Sequence, residues 1–470
     1  MIRACFLLLA SFLLLTACTA PVRPDQLTFP ELDYDFPTVA HYPLENGMLL
    51  YLLQDHELPL VALSVTVGGG SIQDDGKKTG ISSLFANLLE TGGAGERSPQ
   101  QMEEELERMA AELSVSRDAY ATTISMSLRS EDLERGLNLL ADLLRQPRFD
   151  QERFEIGRNQ IKEGIRRQND EPAAIAGRTL AKAVYGEHPF GRHATLETVD
   201  RIERSDLVKM HQTYFQPDNI WLAVSGDVDT KSLLVSLDSV FGDWRSTGVP
   251  NMSLPPLPDP PADKTLFIER DIPQTTILMG HRGIEKTNPD MFALRVANYI
   301  LGGGGFNSRM MREIRSNRGL AYSVYSYSQI GRLLPEMFVA SSETKCASTI
   351  EVADLMLDLI RQLRDEPVTG AELALAKESL INSFVFAFDS SQSVVSSRVR
   401  LDYYGYPEDY LETYREKIAA VTIEDVQRVA KEYLRPDQMQ IVLVGRSAEF
   451  DQDPAVLGCP VEQIDLGAME

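Results

Sequence analysis

Apolar residues Ile81, Leu84, Phe85, Leu88 and Leu89 recur at helical spacing through "TGISSLFANLLETGG" at residues 79–93. That spacing predicts a helix with one face in a core, which leaves Ser83, Ala86 and Asn87 on a different stripe. The same rhythm returns at residues 100–111 and 130–144 and predicts two more amphipathic helices. A period of two marks "MLLYLLQD" and "VALSVTVGG" upstream, and "TLFIERD" and "QTTILMGH" far downstream, and predicts strands. Strands in hairpin-like succession followed by helices indicate an α+β fold, a largely antiparallel sheet with helices packed on one face.

This order is written twice. "SDLVKMHQTYFQPDNIWLAVSGD" from Ser205 matches "EDVQRVAKEYLRPDQMQIVLVGR" from Glu424, with Asp206 opposite Asp425, Tyr214 opposite Tyr433 and Pro217 opposite Pro436, a constant offset of 219 (425 minus 206). Tyr185-Gly186 and Tyr404-Gly405 keep the same offset. A register held that far predicts a duplicated domain. Between the copies, "STGVPNMSLPPLPDPPADKT" carries six prolines, too many for a helix or a central strand, and reads as an extended linker. The expected layout is an N-terminal domain at 37–245, a Pro-rich linker at 246–264 and a C-terminal domain at 265–470. A chain of 470 residues, 43% hydrophobic, has the material for two such cores.

The first eighteen residues, "MIRACFLLLASFLLLTAC", place Arg3 ahead of an apolar run too short for a permanent bilayer span. They read as an export signal at 1–17. Leu15-Thr16-Ala17-Cys18 resembles a bacterial lipobox, which implies lipid on Cys18, a tether at 18–36 and a membrane contact through that anchor. Thr19 in place of Asp after the cysteine, by resemblance to Gram-negative lipoproteins, favours the periplasmic side of the cell envelope at the outer membrane. A net charge of -23 argues against nucleic acid as a partner. Cys346 and Cys459 are either a disulfide pair or two buried thiols, and their separation in sequence does not decide between these.

The duplicated layout, "HPFGRHATLETV" at His188, "FQPDNIWLAVSGDVD" at Phe215, "LGGGGFNSRMMREIRSNRGLAYSVYS" at Leu301 and the Pro-rich joint together resemble the pitrilysin/insulinase family of zinc peptidases. The similarity is to its short, two-domain branch, which includes bacterial heterodimeric peptidases and mitochondrial processing peptidase. The resemblance implies two homologous domains forming half of a clam-shell chamber. Active members carry His-x-x-Glu-His on the first helix of the N-terminal half and a glutamate ligand further on, because two imidazoles at i and i+4 plus a carboxylate hold zinc while the intervening Glu serves as base. Here those places fall on Ser83, Ala86, Asn87 and Gly164, with Glu163 adjacent to the last. No zinc is expected in this chain. His188 and His193 read as structural.

The second half keeps something that the first has lost. "NSRMMREIRSNRGLAYSVYS" predicts a helix capped by Asn307 or Ser308, stopped near Gly319 and followed by a strand, with Met310 and Ile314 toward the core and Arg315 on another face. Arg315 and Tyr322 match, by their separation, the Arg/Tyr pair that this family's C-terminal half brings to the zinc site, with Arg318 as an alternative basic member. The expected function is that of a zinc-less subunit of a periplasmic heterodimeric peptidase, inactive alone. It would supply Arg315 and Tyr322 to peptide substrate in the site of a sibling subunit that carries the zinc. The alternative is a non-enzymatic scaffold or peptide-binding module of the same fold.

Overall fold

Each copy of the repeat builds one six-stranded sheet. A computed structural model describes residues 36–250 and 254–466, so the predicted export signal and Cys18 lie outside the described residues. In the first half β1 (Ala40–Pro43), β2 (Leu49–Gln54), β3 (Leu60–Gly68), β4 (Glu112–Arg117), β5 (Ala121–Arg129) and β6 (Ile220–Gly226) pair in the order β1-β2-β6-β3-β5-β4. In the second, β7 (Lys264–Glu269), β8 (Gln274–Arg282), β9 (Ala321–Ser328), β10 (Met337–Lys345), β11 (Gln440–Gly445) and β12 (Val461–Gln463) pair in the order β12-β7-β11-β8-β10-β9. All neighbours are antiparallel except β2–β6, β7–β11 and β7–β12. The sequence repeat is thus a repeat of topology, and β4 and β9 are matching edge strands.

Helices cover one face of each sheet, as the hydrophobic pattern requires. Val61, Leu63, Val65 and Val67 of β3 alternate inward and share a core with Leu84, Phe85 and Leu88 of the Ile81–Thr91 helix and with Leu137, Leu140 and Leu144 of the Leu133–Arg145 helix. The opposite face of each sheet is covered by a helix from the other half. Ile175, Leu180 and Val184 of the Pro172–Tyr185 helix pack on Leu266, Ile268, Val442 and Val444 of the second sheet. In return, Val395 and Val399 of the Ser391–Tyr403 helix pack on Tyr51 and Ala223 of the first. The two exchanged helices stand at the repeat offset (391 minus 172). Each apolar side chain buried in this way contributes roughly 1.5–3 kcal/mol, so the exchange binds the halves to one another.

The described residues between Trp244 and Lys264 form no helix or strand, and Leu254 and Leu257 pack onto apolar clusters of the fold. His188 holds this segment: its Nε2 donates to Pro255 O (3.1 Å), while its Nδ1 accepts from Phe190 N (3.2 Å). Burial pushes the His188 imidazole below its usual pKa, in keeping with a structural role. Cys346 and Cys459 are both free and buried, each beside a threonine hydroxyl, Thr275 at 3.4 Å and Thr265 at 3.0 Å.

Candidate functional site

The Ile81–Thr91 helix starts beside a buried carboxylate. Asp74 Oδ2 accepts from Gly80 N (3.0 Å) and Ser82 Oγ (3.1 Å), and burial raises the Asp74 carboxyl above the usual range in spite of these bonds. The helix runs along the edge strand β4 and is tied to it by Val115 N, which donates to Glu90 Oε2 (2.9 Å). Ser83 is half-buried, and its Oγ accepts from Arg117 at the end of β4, from Nε at 3.0 Å and from Nη2 as well. Asn87 faces the Gln151–Arg167 helix so closely that a Cβ on Gly157 would come within 2.7 Å of its Oδ1. Ala86 is buried, although its polar neighbours in the pattern pointed to a more open stripe. Gly164, two turns beyond Gly157, is exposed with nothing within 4 Å of the place a Cβ would take. Glu163 is exposed and pairs with Arg166 (3.5 Å) and Arg167 (2.8 Å).

This donor set does not fit zinc. A guanidinium already rests on Ser83 Oγ, Asn87 offers a single neutral oxygen, and Ala86 and Gly164 have no ligating atom. Among the described residues no group of three or more His, Cys, Asp or Glu is placed to hold a metal ion. Arg117 and Asp74 were not singled out by the sequence, because Arg117 stands 34 residues from Ser83 and only the fold joins them.

The matching region of the second half is arranged differently. Tyr299–Gly303 is a π-helical turn that passes so close to the edge strand β9 that a Cβ on Gly302 would lie 2.4 Å from Ser326 N. Asn298 Nδ2 donates to Ser326 O (3.2 Å), and Asn298 Oδ1 accepts from Ser326 Oγ (2.8 Å), which fixes the segment against β9. Ser308 Oγ then accepts from Met311 N (3.3 Å), and the helix beyond it is π-wound over Met311–Asn317. Met310 and Ile314 are fully buried, as their spacing predicts.

Arg315 leaves this helix on another face, between two exposed rings. Its Cζ lies 4.5 Å from the centroid of Tyr322 and 4.6 Å from that of Phe306, and these residues are 82% and 65% exposed. The neighbouring arginines are all engaged. Arg309 takes both oxygens of Glu372 (2.8 and 3.0 Å), Arg312 approaches Glu372 (3.7 Å), and Arg318 reaches Glu313 (2.8 Å) and Glu351 (3.5 Å). Among the described residues Arg315 has no carboxylate partner. A guanidinium held against rings rather than on a carboxylate keeps N–H donors for a carbonyl oxygen or an oxyanion. Phe306, at the end of the glycine run, went unnoticed in the sequence, where an isolated aromatic carries no signal of contact.

Both halves meet beside Arg117. Asp118 accepts from Arg332 and from Tyr404 Oη (3.0 Å), Arg332 also donates to Tyr404 Oη (2.7 Å), and Tyr403 Oη donates to Tyr120 O (2.7 Å). The β4–β5 turn is therefore held by side chains of the second half.

Comparison with known families places these features. Residues 50–197 match the family described as insulinase (peptidase family M16), and residues 201–380 match the peptidase M16 inactive domain. The chain belongs to the M16 insulinase family. It is 24% identical over 402 residues to an uncharacterized zinc protease, YmxG, of Bacillus subtilis, covering 85% of this chain and 96% of that protein. It is 22% identical over 394 residues to the non-peptidase homolog YmxG of Helicobacter pylori, covering 83% and 90%. The crystal structure of a peptidase M16 inactive domain from Pseudomonas fluorescens superposes with a TM-score of 0.80 at 25% identity, covering 89% of this chain and all of that one. Two homologous halves, as expected of the short M16 branch, are observed.

Proposed function

We propose that this M16 chain is the zinc-free subunit of a heterodimeric peptidase and lends Arg315 and Tyr322 to the site of a sibling subunit that carries His-x-x-Glu-His. The observation that carries the reading is Arg315, stacked on exposed Tyr322 while the arginines around it are spent on carboxylates. In this reading the sibling supplies zinc and base, and the guanidinium and phenol of this chain donate to the carbonyl oxygen of a bound peptide as charge builds on it. The two chains enclose the substrate in a chamber. Cys18 carries lipid and anchors the assembly on the periplasmic face of the envelope, at the outer membrane; palmitate labelling that is lost in Cys18→Ala supports the anchor, and labelling that survives contradicts it.

A second reading, a non-enzymatic scaffold or peptide holder, is favoured by Arg117 on Ser83, where the first half has closed its polar groups on one another. Co-expression with the sibling separates the two. The first reading expects no stoichiometric zinc and no turnover of a quenched peptide by this chain alone, and in the pair the zinc of the sibling with turnover well above that of the sibling alone. A pair that assembles but turns over no faster than the sibling alone supports the scaffold. One tightly held zinc per isolated chain contradicts both.

A further inference from the structure

A cavity of about 850 Å³ lies in the second half, where the loop before the Met291–Asn298 helix meets the Tyr410–Ala420 and Ile423–Tyr433 helices. Its walls are apolar and aromatic, from Phe292, Tyr406, Tyr410 and Val421. Two half-buried lysines stand among them. Lys286 Nζ lies 5.6 Å from the centroid of Tyr406, and Lys417 Nζ lies 5.4 Å from that of Phe292. Neither ammonium has a carboxylate partner among the described residues, in a chain whose net charge is -23.

The acidic groups that face the same space are already engaged. Asp290 takes two bonds from Arg428 (2.9 and 2.7 Å) and one from Tyr433 Oη (2.8 Å). Asp425 Oδ2 accepts from Thr422 N (3.1 Å) and Thr422 Oγ1 (2.9 Å), and its other oxygen approaches Arg428 (3.6 Å). What remains to meet a ligand is two ammonium groups above an aromatic floor, in a volume typical of small-molecule sites. We infer that this cavity binds an apolar monocarboxylate, with its hydrocarbon or aromatic body on Phe292, Tyr406 and Tyr410 and its carboxylate between Lys286 and Lys417. The site is separate from Arg315 and Tyr322 and does not depend on the reading given to them.

Such a carboxylate comes from a free fatty acid or from the C-terminal residue of a peptide. Calorimetric titration of the purified chain with decanoate and with N-acetyl-phenylalanine distinguishes the two sources by which binds more tightly, and the corresponding amides remove the charge while keeping the body. Saturable binding of one ligand per chain is expected for at least one acid, at least about tenfold tighter than for its amide, because a charge-assisted bond is lost with the charge. Lys286→Gln with Lys417→Gln should weaken the acid by about tenfold or more and leave the amide unchanged. Absence of saturable binding by either acid, equal affinity for acid and amide, or unchanged affinity in the double variant would each overturn the inference.

Discussion

The Ile81–Thr91 helix beside β4 and the 291–317 segment beside β9 are the same place in two copies of one fold, and they dispose of their charges in opposite ways. In the first, Arg117 rests on Ser83, Glu90 takes a backbone N–H of β4, and Asp118 is held from across the half-to-half contact. In the second, Arg309, Arg312 and Arg318 are spent on carboxylates that fasten helices together, and the one between them is set out on two exposed rings. A polar group satisfied within its own chain has little left to offer a substrate. A donor held in place without an acceptor is pre-organised for one. In the proposed reading this difference puts the contribution of this chain in the second half, even though the family's zinc motif belongs to the first.

The pair that frees Arg315 from structural duty should be the costliest to break. Glu372 sits with Arg309, both nearly buried, and Arg309 holds the Glu372 carboxyl down to about 2. Glu372→Gln strands the Arg309 charge and should cost about 3–5 kcal/mol in chemical denaturation. Because the folded pKa lies below that of an unfolded glutamate, at about 4.3, the stabilisation is complete above that value and fades as pH falls from there toward about 2. Acid unfolding of Glu372→Gln should lack that component. If stability and its acid profile are both unchanged, the comparison loses its account of the neighbouring arginines.

Next comes the exchange of helices that sets the two halves against each other. Leu180 belongs to the first half by sequence and to the core of the second sheet by contact. Leu180→Ala should cost roughly 2–5 kcal/mol, through lost burial and the cavity left behind. An effect below about 0.5 kcal/mol, the range of a surface change, would show that the helix is not seated there. The smallest effect belongs to the contact beside the first site. Arg332 and Asp118 are each more than a third exposed, so Asp118→Asn should cost about 1 kcal/mol or less and fade in salt.

Duplication, the long strands and the buried stripe of Met310 and Ile314 were legible because each is a periodic or register signal. The exchanged helices were not. "PAAIAGRTLAKAVY" carries small residues on most faces and shows no single apolar stripe, so nothing in it says which sheet it covers. β4 escaped notice too, since "ELSVSR" at an edge is half-exposed and too short to stand out. The π winding of Met311–Asn317 keeps the same spacing of buried residues that an α-helix would show, and so leaves no trace in the pattern. At the site, the resemblance alone points to Ser83, Ala86, Asn87 and Gly164 as the places of the zinc motif. That Arg117 donates to Ser83 is tertiary and had to be seen.

The central claim is that Arg315 and Tyr322 act on a substrate held by a partner, and turnover of the assembled pair tests it most directly. Arg315→Ala and Tyr322→Phe, each co-purified with the zinc-bearing sibling and matched for zinc content and dimer, should lower kcat on a quenched peptide by about 10²–10³, the usual loss for one oxyanion donor. Arg315→Lys should also be impaired, because an ammonium does not reproduce the planar fork. Wild-type turnover in both Arg315→Ala and Tyr322→Phe would contradict the claim and leave this chain a scaffold.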